Sequence, residues 1–483
     1  MKVCLEIGTG AEAFLDLLSA EVEKSWAPGV SVISSEDEVP RGVEGILAVG
    51  PGAKPRSAEG LLVVDSIDTS RLGQDQILFQ TSAKLGRMVS SDLVKTKSRA
   101  PSGPSQGMSR RDLLFGFRGA TRGYTDAPAV FDSICDSKYG CTKCVDTCPS
   151  DALAIAGGSV AVDEAKCTRC GECAAVCPTS AIQLPRFSEE AFLGLLEGLK
   201  KSGAPAKALV LTCDASKLDP LPWTFVEQVK DVGAMGPRQL ALAASSGLAA
   251  VVVYCSDGRC VGAESAKAAA ASVSLLLEPQ RELTVEFAQG GDGAARIKEI
   301  RARLDKQLVP RISPKERRLS YTTALVSLAR PGAPAEGLGL TDLKVSDTCT
   351  LCGTCVKSCP HVAIAMTPER LIFDSSWCTG CGYCAQLCPE KSITLVPLKM
   401  LSGLGKRTVF SDVVVNCARC GQPIGSAGLL RRVTALVGKE DPMMKYCQSC
   451  KQIVALESVT KLGTPGRSAE TSPVASDSDD AKR

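Results

Sequence analysis

The sequence predicts an α+β multidomain protein in which a cysteine-rich unit occurs twice among α/β segments with parallel sheets. Three observations support this: a length of 483 residues, a repeated cysteine spacing, and stretches that alternate β-rich with helix-forming runs. A chain this long exceeds one typical domain several times. Apolar residues make up 44 % of it but aromatic residues only 4 %, so aliphatic side chains are expected to dominate the cores.

Composition divides the chain into seven predicted segments. Short β-rich runs such as GILAVG, ALVLTC and AVVVYC alternate with helical stretches and indicate α/β domains, whereas Ser-, Pro- and Gly-rich stretches indicate linkers. The segments are a small α/β domain (1–90), a linker (91–125), the first cysteine-rich unit (126–186), a middle α/β domain (187–320), the second cysteine-rich unit (341–400), a segment with two CxxC pairs (408–460) and a disordered tail (461–483).

Charge and cysteine usage limit the classes of partner and compartment. The formal net charge is only +3 and no long block of Lys or Arg occurs, which argues against nucleic acid or an anionic membrane as a partner. The start MKVCLEIGTG does not have the form of a cleavable signal, and no apolar run reaches membrane-spanning length. The 24 cysteines lie in tight clusters rather than in a disulfide framework, so a reducing compartment, the cytoplasm, is expected.

Four cysteine runs carry the predicted chemistry, and three of them have the spacing C-x2-C-x2-C-x3-C-P. A cubane iron–sulfur cluster needs four thiolates, and a ligand at every third residue lets a tight loop wrap three of its irons. Zinc sites instead use pairs of CxxC knuckles without the x3-C-P continuation, so clusters are favoured over zinc. The regular runs are Cys167, Cys170, Cys173, Cys177; Cys349, Cys352, Cys355, Cys359; and Cys378, Cys381, Cys384, Cys388.

The stretches AKCTRCGECAAVCPTSAIQL and SWCTGCGYCAQLCPEKSITL resemble the bacterial two-[4Fe-4S] ferredoxin family. In that family the fourth cysteine of each run binds the cluster of the partner run, so runs occur in pairs. Both units are therefore expected to be ferredoxin-like dicluster modules, each with 18 residues between its two runs. The resemblance implies that one cluster of the second module binds Cys349, Cys352, Cys355 and Cys388, and the other Cys378, Cys381, Cys384 and Cys359.

The first run of the first module departs from this pattern. Five residues rather than two separate Cys135 from Cys141, and Lys138 stands where a ligand is expected. One interpretation is an inserted loop, and the other is a three-iron cluster without Cys135. With an inserted loop, the resemblance implies one cluster on Cys135, Cys141, Cys144 and Cys177 and a second on Cys167, Cys170, Cys173 and Cys148. The chain is then predicted to hold four [4Fe-4S] clusters.

Two CxxC pairs near the end of the sequence have the spacing of a zinc ribbon, with 26 residues between them. Four thiolates in this arrangement form a closed tetrahedral site that stabilises a small segment with little core. Structural zinc is therefore expected, and a rubredoxin-like iron or another cluster are the alternatives. The ligands are Cys417, Cys420, Cys447 and Cys450.

Three more cysteines belong to the middle domain: Cys213 and Cys255 end two predicted strands, and Cys260 follows shortly. If the strands are parallel neighbours, their carboxyl ends meet at one edge of the sheet and the thiols converge. The stretch from LVLTC to VVVYCSDGRC resembles the delta subunit that links methanogen hydrogenase to heterodisulfide reductase. That family uses more cysteines than this region supplies. Two interpretations of the three cysteines therefore stay open: they bind a [2Fe-2S] centre, or they are free thiols buried in the core.

These features predict an iron–sulfur electron-transfer protein, a polyferredoxin-like subunit that relays electrons to or from a larger oxidoreductase. General acids and bases do not cluster in the sequence, so autonomous turnover of a metabolite is not expected. Two alternatives stay open. One is a component of a disulfide or heterodisulfide reductase that uses Cys213, Cys255 and Cys260, and the other is an assembly factor for a redox enzyme.

Overall fold

The computed structural model describes residues 3–7, 18–19, 22, 30–34, 45–50, 63–68, 74–90, 127–184, 187–201, 207–218, 221, 223–256, 258–277, 283–304, 321–438 and 441–462. The predicted linker 91–125 lies outside these residues, as does all but the first two residues of the predicted tail. None of the helices in the described ranges combines the length and apolar composition needed to span a bilayer.

A parallel sheet and one long helix form the described part of the first segment. The sheet has the order β2-β1-β3-β4, with every neighbouring pair parallel. Its helix is apolar on two sides: Ile77, Leu85 and Met88 pack with the sheet, whereas Phe79 and Ala83 join the core of the middle domain. The elements are β1 (Val3–Ile7), β2 (Val30–Ser34), β3 (Gly45–Gly50), β4 (Val63–Asp68) and α1 (Gln74–Ser90).

The first cysteine-rich unit consists of short elements. Two antiparallel strand pairs, β5 with β8 and β6 with β7, frame two short helices that each contain the third cysteine of a run. The elements are β5 (Ala129–Val130), a 3₁₀ turn (Asp136–Tyr139), α2 (Lys143–Thr147), β6 (Leu153–Ala156), β7 (Ser159–Val162), α3 (Glu172–Val176) and β8 (Ile182–Gln183).

The middle domain is built on a second parallel sheet, of order β10-β9-β11-β12. Strands β9 and β11 are buried along their whole length, because helices cover both faces of the sheet. The elements are α4 (Glu189–Lys201), β9 (Ala208–Thr212), β10 (Thr224–Gln228), α5 (Pro237–Ser245), β11 (Ala250–Cys255), α6 (Ala263–Ser274), β12 (Thr284–Gln289), α7 (Gly291–Leu304) and α8 (Tyr321–Leu328), with 3₁₀ turns at Ala215–Lys217 and Val232–Ala234.

The second cysteine-rich unit repeats the layout of the first. Strands β13 and β16 correspond to β5 and β8, and the hairpin of β14 and β15 corresponds to β6 and β7. Strand β17 adds a third strand to this hairpin. The elements are β13 (Thr341–Val345), α9 (Thr354–Ser358), β14 (Ile364–Met366), β15 (Arg370–Asp374), α10 (Tyr383–Gln386), β16 (Ile393–Pro397), a 3₁₀ turn (Leu401–Gly403) and β17 (Lys406–Ser411).

A hairpin and two helices follow. The elements are β18 (Val414–Asn416), β19 (Pro423–Ser426), α11 (Ala427–Val437), a 3₁₀ turn (Pro442–Lys445) and α12 (Gln448–Leu462). Ser426 begins helix α11 by accepting a hydrogen bond from the Leu429 amide, and its hydroxyl donates to the Thr350 carbonyl at 2.9 Å. This contact holds the hairpin against the first run of the second unit.

Helices α1 and α4 approach each other closely at Gly198. The Ser82 hydroxyl donates a hydrogen bond to the Gly198 carbonyl at 3.2 Å, and both residues lie in the interface. A Cβ atom on Gly198 would stand 2.2 Å from the Ser82 carbonyl oxygen, which belongs to the backbone and cannot rotate away. The absence of a side chain here therefore permits the two helices to pack.

Replacing Gly198 with Ala should force the helices apart and lower the free energy of unfolding by about 1–3 kcal/mol, the cost of overpacking a close contact. Denaturant unfolding followed by circular dichroism measures the change. Gly291→Ala is the matched control, because Gly291 also lies in a helix but has no atom within 4 Å of a built Cβ. Equal stability of the two variants would contradict the proposed close contact.

Candidate metal centres

The four cysteine runs share one backbone turn. In each, the residue directly before the second cysteine has a positive φ, between 52° and 93°. This left-handed conformation turns the chain sharply between two consecutive ligands. In the irregular run that residue is Gly140, so Cys141 occupies the second position and the extra residues precede it. The residues at this position are Gly140, Arg169, Leu351 and Gly380.

The fourth cysteine of each run is also placed by a shared turn. The residue three positions after it has a φ between 49° and 55°, and the amide four positions after it donates a hydrogen bond to its sulfur at 3.2 to 3.4 Å. Such amide donors stabilise negative charge on a metal-bound sulfur. The amide donors belong to Ala152, Ala181, Ala363 and Ser392, and the sulfur acceptors to Cys148, Cys177, Cys359 and Cys388.

In the first unit the thiols gather across the two runs. Burial raises the pKa of the Cys144 thiol to about 12, and the nearby thiols of Cys177, Cys141 and Cys135 add to the rise. Cys177 belongs to the other run, so the structure brings it to the group around Cys144. Burial likewise raises the pKa of Cys173 to about 12, with contributions from the nearby Cys170 and Cys167 thiols.

The second unit shows the same crossing of the fourth cysteines. Burial raises the pKa of Cys355 to about 11, and the neighbouring thiols that add to the rise are Cys349, Cys352 and Cys388. Burial raises the pKa of Cys384 to about 12, and the neighbouring thiols are Cys378, Cys381, Cys359 and Cys355. The last of these, Cys355, belongs to the adjacent group, so the two groups of the unit lie side by side.

The chemistry of these groups fits an iron–sulfur cluster. Thiols that crowd together in half-buried loops resist ionisation, and only bound cations compensate for four thiolates. The described residues include two compact groups of possible metal ligands, and within each group all ligand atoms lie within 4.8 Å of one another. No thiol of the four runs belongs to either group. Groups of four thiols drawn from two runs fit a cubane, in which each sulfur binds a different iron.

The first compact group contains the four cysteines near the end of the chain. The sulfur atoms of Cys417, Cys420, Cys447 and Cys450 lie within 4.8 Å of one another, and the Cys447 amide donates to the Cys417 sulfur at 3.2 Å. Cys417 and Cys450 are buried, whereas Cys420 is exposed. Four sulfur atoms this close fit a tetrahedral site for one ion.

The second compact group contains Cys213, Cys255 and Cys260. Strands β9 and β11 are parallel neighbours, so Cys255 at the end of β11 meets Cys213, which follows β9. The Asp231 carboxylate accepts hydrogen bonds from the amides of residues 233, 261 and 262 and so holds the loop that carries Cys260. Burial raises the pKa of Cys260 well above its usual range. The group offers three sulfur ligands, one fewer than a four-coordinate centre needs.

Two family models match the cysteine-rich units. A 4Fe-4S dicluster domain matches residues 341–389, and a 4Fe-4S binding domain matches residues 160–183. Both matched ranges contain complete C-x2-C-x2-C-x3-C runs.

Similar curated proteins cover short parts of the chain. A subunit of the ion-translocating oxidoreductase complex of Methanosarcina acetivorans is 41 % identical over 59 residues, 12 % of this chain and 21 % of the relative. A ferredoxin-like protein in the nif region of Azotobacter vinelandii is 39 % identical over 51 residues, 9 % of this chain and 55 % of the relative. An uncharacterized ferredoxin of Methanocaldococcus jannaschii is 42 % identical over 45 residues, 9 % of this chain and 73 % of the relative.

Cysteine runs in segments matched by [4Fe-4S] family models define an iron–sulfur protein. Because the match to the Methanocaldococcus ferredoxin extends over 73 % of that relative at 42 % identity, this chain belongs to the ferredoxin family. The two family models lie within the two cysteine-rich units and leave the other segments unmatched.

The spacing of the cysteines predicts the ligands but not the hydrogen-bond donors that surround them. The Ser392 hydroxyl lies 3.3 Å from the Cys388 sulfur, and Ser392 is buried. One sequence signal could have identified these donors. The residue four positions after the fourth cysteine is small in every run, Ala in three runs and Ser in one.

Replacing Ser392 with Ala should lower the reduction potential of a cluster bound at Cys388 by roughly 20–60 mV, the one-electron equivalent of a hydrogen bond of about 0.5–1.5 kcal/mol. A hydroxyl donor favours the reduced state because that state is more negative. An EPR-monitored redox titration measures the shift. Ser358→Ala is the control, because the Ser358 hydroxyl donates to the Thr354 carbonyl and not to sulfur. Equal potentials in both variants would contradict this role of Ser392.

Proposed function

We propose that this chain is a polyferredoxin-like subunit that relays electrons through four [4Fe-4S] clusters to or from a larger oxidoreductase. The observation that carries the proposal is the repeated turn: all four runs, the irregular one included, have the left-handed residue before the second cysteine and the amide donor to the fourth. An iron–sulfur cluster, when bound, accepts and donates single electrons.

The proposed ligand sets exchange the fourth cysteines within each module. They are Cys135, Cys141, Cys144 and Cys177; Cys148, Cys167, Cys170 and Cys173; Cys349, Cys352, Cys355 and Cys388; and Cys359, Cys378, Cys381 and Cys384. The sulfur neighbours of Cys144, Cys355 and Cys384 support three of these sets. Cys148 is assigned by its equivalence to Cys359 in the second module. The proximity of Cys135 to Cys144 favours a four-iron over a three-iron cluster.

Redox proteins are the proposed partners, and the cytoplasm, where thiols stay reduced, is the proposed compartment. One relative is by name part of an ion-translocating oxidoreductase complex, which supports a role within a larger assembly. The four cysteines at Cys417 to Cys450 are proposed to bind a structural zinc ion. Through the contact of Ser426 with Thr350, that zinc ribbon would brace the first run of the second module.

Metal analysis of the anaerobically purified chain tests this assignment. The expected content is about sixteen iron atoms and one zinc ion per chain. Cys420→Ser should remove the zinc and leave the iron, because the zinc thiolates are separate from the cluster thiolates. Gln422→Ala, a neighbouring change without a ligand, should retain both. About twelve or fewer irons in the unaltered chain would contradict the proposal of four cubane clusters.

A second candidate function rests on the compact group of Cys213, Cys255 and Cys260. Two thiols this close can form a disulfide by reducing a substrate disulfide, and two electrons and two protons delivered through the chain then restore them. The chain would in that case be a component of a disulfide reductase. A [2Fe-2S] centre fits less well, because such a centre needs a fourth ligand.

The double variant Cys213→Ser, Cys260→Ser separates the two functions and leaves the buried Cys255 in place. The relay predicts electron transfer from dithionite to an acceptor protein at a nearly unchanged rate. The reductase predicts that catalytic turnover of an unactivated disulfide such as oxidised glutathione by the chain, with electrons supplied through its clusters, is lost, because two of the three converging thiols are gone. Iron content equal to that of the unaltered chain shows that the variant is folded. Loss of transfer to the acceptor protein would count against the relay.

A further inference from the structure

The irregular spacing of the first run has a structural consequence. The interval between Cys135 and Cys141 is three residues longer than the regular C-x2-C. The interval forms the 3₁₀ turn Asp136–Tyr139, and Gly140 ends it with a φ of 93°. Asp136 and Ser137 at the start of this turn are buried, whereas Lys138 is exposed.

The turn packs against the second module. The Asp136 carboxylate is paired with the His361 Nε2 atom at 2.7 Å and accepts a hydrogen bond from the Thr379 hydroxyl at 2.6 Å. The ring of Tyr139 lies 5.3 Å from the ring of Tyr383. Both modules therefore contribute polar and aromatic groups to one contact.

Two closer approaches extend this contact. A Cβ atom on Gly140 would stand 2.3 Å from the side-chain amide nitrogen of Gln386. The Lys143 ammonium donates a hydrogen bond to the Thr379 carbonyl at 2.8 Å. The interval between the two cysteines and the adjacent Lys143 thus meet residues 379–386 of the second module, and Asp136 also meets His361.

The residues in contact are chain neighbours of proposed cluster ligands. Asp136 directly follows Cys135, Thr379 directly follows Cys378, and His361 follows the Cys-Pro pair at Cys359. Cys135 and Cys177 from one module and Cys378 from the other also line a common cavity of about 810 Å³. The contact therefore places the ligands of one proposed cluster in each module opposite one another.

We propose that this contact is an internal electron-transfer junction, a deduction that rests on the proposed function. One electron would pass directly between a cluster held by Cys135, Cys141, Cys144 and Cys177 and a cluster held by Cys359, Cys378, Cys381 and Cys384, and no bond would be formed or broken. Asp136 is the positioning residue, because its carboxylate contacts the side chains of two residues that lie close in sequence to ligands of the opposite cluster. The inserted residues complete the junction rather than the cluster.

The junction would connect the four proposed clusters in one sequence. Within the first module helix α2, which carries Cys144, packs against helix α3, which carries Cys173, and within the second module helices α9 and α10 pack together in the same way. Electrons would therefore move from the cluster on Cys148 and Cys167 through both clusters at the junction to the cluster on Cys349. The contact of Ser426 with Thr350 brings the zinc-ribbon segment to that last cluster.

Deletion of residues 136–138 tests the proposal, because it restores the regular C-x2-C interval, removes Asp136 and keeps Gly140 directly before Cys141. The expected result is unchanged iron content, retained dipolar coupling within each module, and loss of the coupling between modules in pulsed EPR of the reduced chain. Redistribution of a single electron among the clusters, followed by rapid freeze-quench EPR, should become roughly ten- to a hundredfold slower, as ångström-scale misplacement of reacting groups predicts. Loss of about four irons would overturn the proposal, since the insertion would then serve cluster binding.

Asp136→Ala addresses the same question without a change of chain length. It should weaken the coupling between modules and slow the redistribution, with iron unchanged. Asp132→Ala is the matched control, because the Asp132 carboxylate accepts a hydrogen bond from Ser159 of its own module. If Asp136→Ala and Asp132→Ala both behave like the unaltered chain, the junction is refuted while the relay stands. An unaltered chain that lacks its irons would instead refute the relay.

Discussion

Four thiolates held together in a half-buried loop repel one another and need cations to compensate their charge. The cysteine-rich units depend on this constraint because their hydrophobic cores consist largely of cysteines and a few aliphatic residues. In the first unit the buried cluster is made of Cys135, Cys144, Leu153, Val160, Cys173, Ala181 and Ile182. Such a core contains too little apolar surface to hold the loops alone, so bound metal is expected to provide much of their stability.

The middle domain supplies the apolar burial that the cysteine-rich units lack. Its main core includes residues from helix α1, from helix α8 and from the segment around Leu398 and Leu401, so distant parts of the chain pack on one scaffold. It also contacts the first module directly, since the Ser265 hydroxyl donates to the Glu172 carboxylate at 2.7 Å. Packing on one domain would hold clusters bound in the two units at a defined separation, as a preorganised site requires.

The regular cysteine runs could be predicted because ligand spacing is a local property of the chain. The same is true of the parallel strands: β9 and β11 are continuous apolar runs, and their burial on both faces explains that pattern. The two-sided role of helix α1 could not be predicted, because Ile77 and Phe79 are both apolar and only their partners distinguish the two faces. The third strand β17 likewise depends on a partner, β15, that precedes it by more than thirty residues.

By itself, the sequence determined which cysteines are available as ligands, that the cysteine-rich unit occurs twice, and that parallel-sheet segments accompany it, since these follow from spacing and local pattern. Only the tertiary structure decided that Cys213, Cys255 and Cys260 converge, and that the extra residues after Cys135 face the second module. The physical reason is that convergence depends on which strands become neighbours and which surfaces meet. Asp136 and His361 are 225 positions apart in the chain, and no local rule connects them.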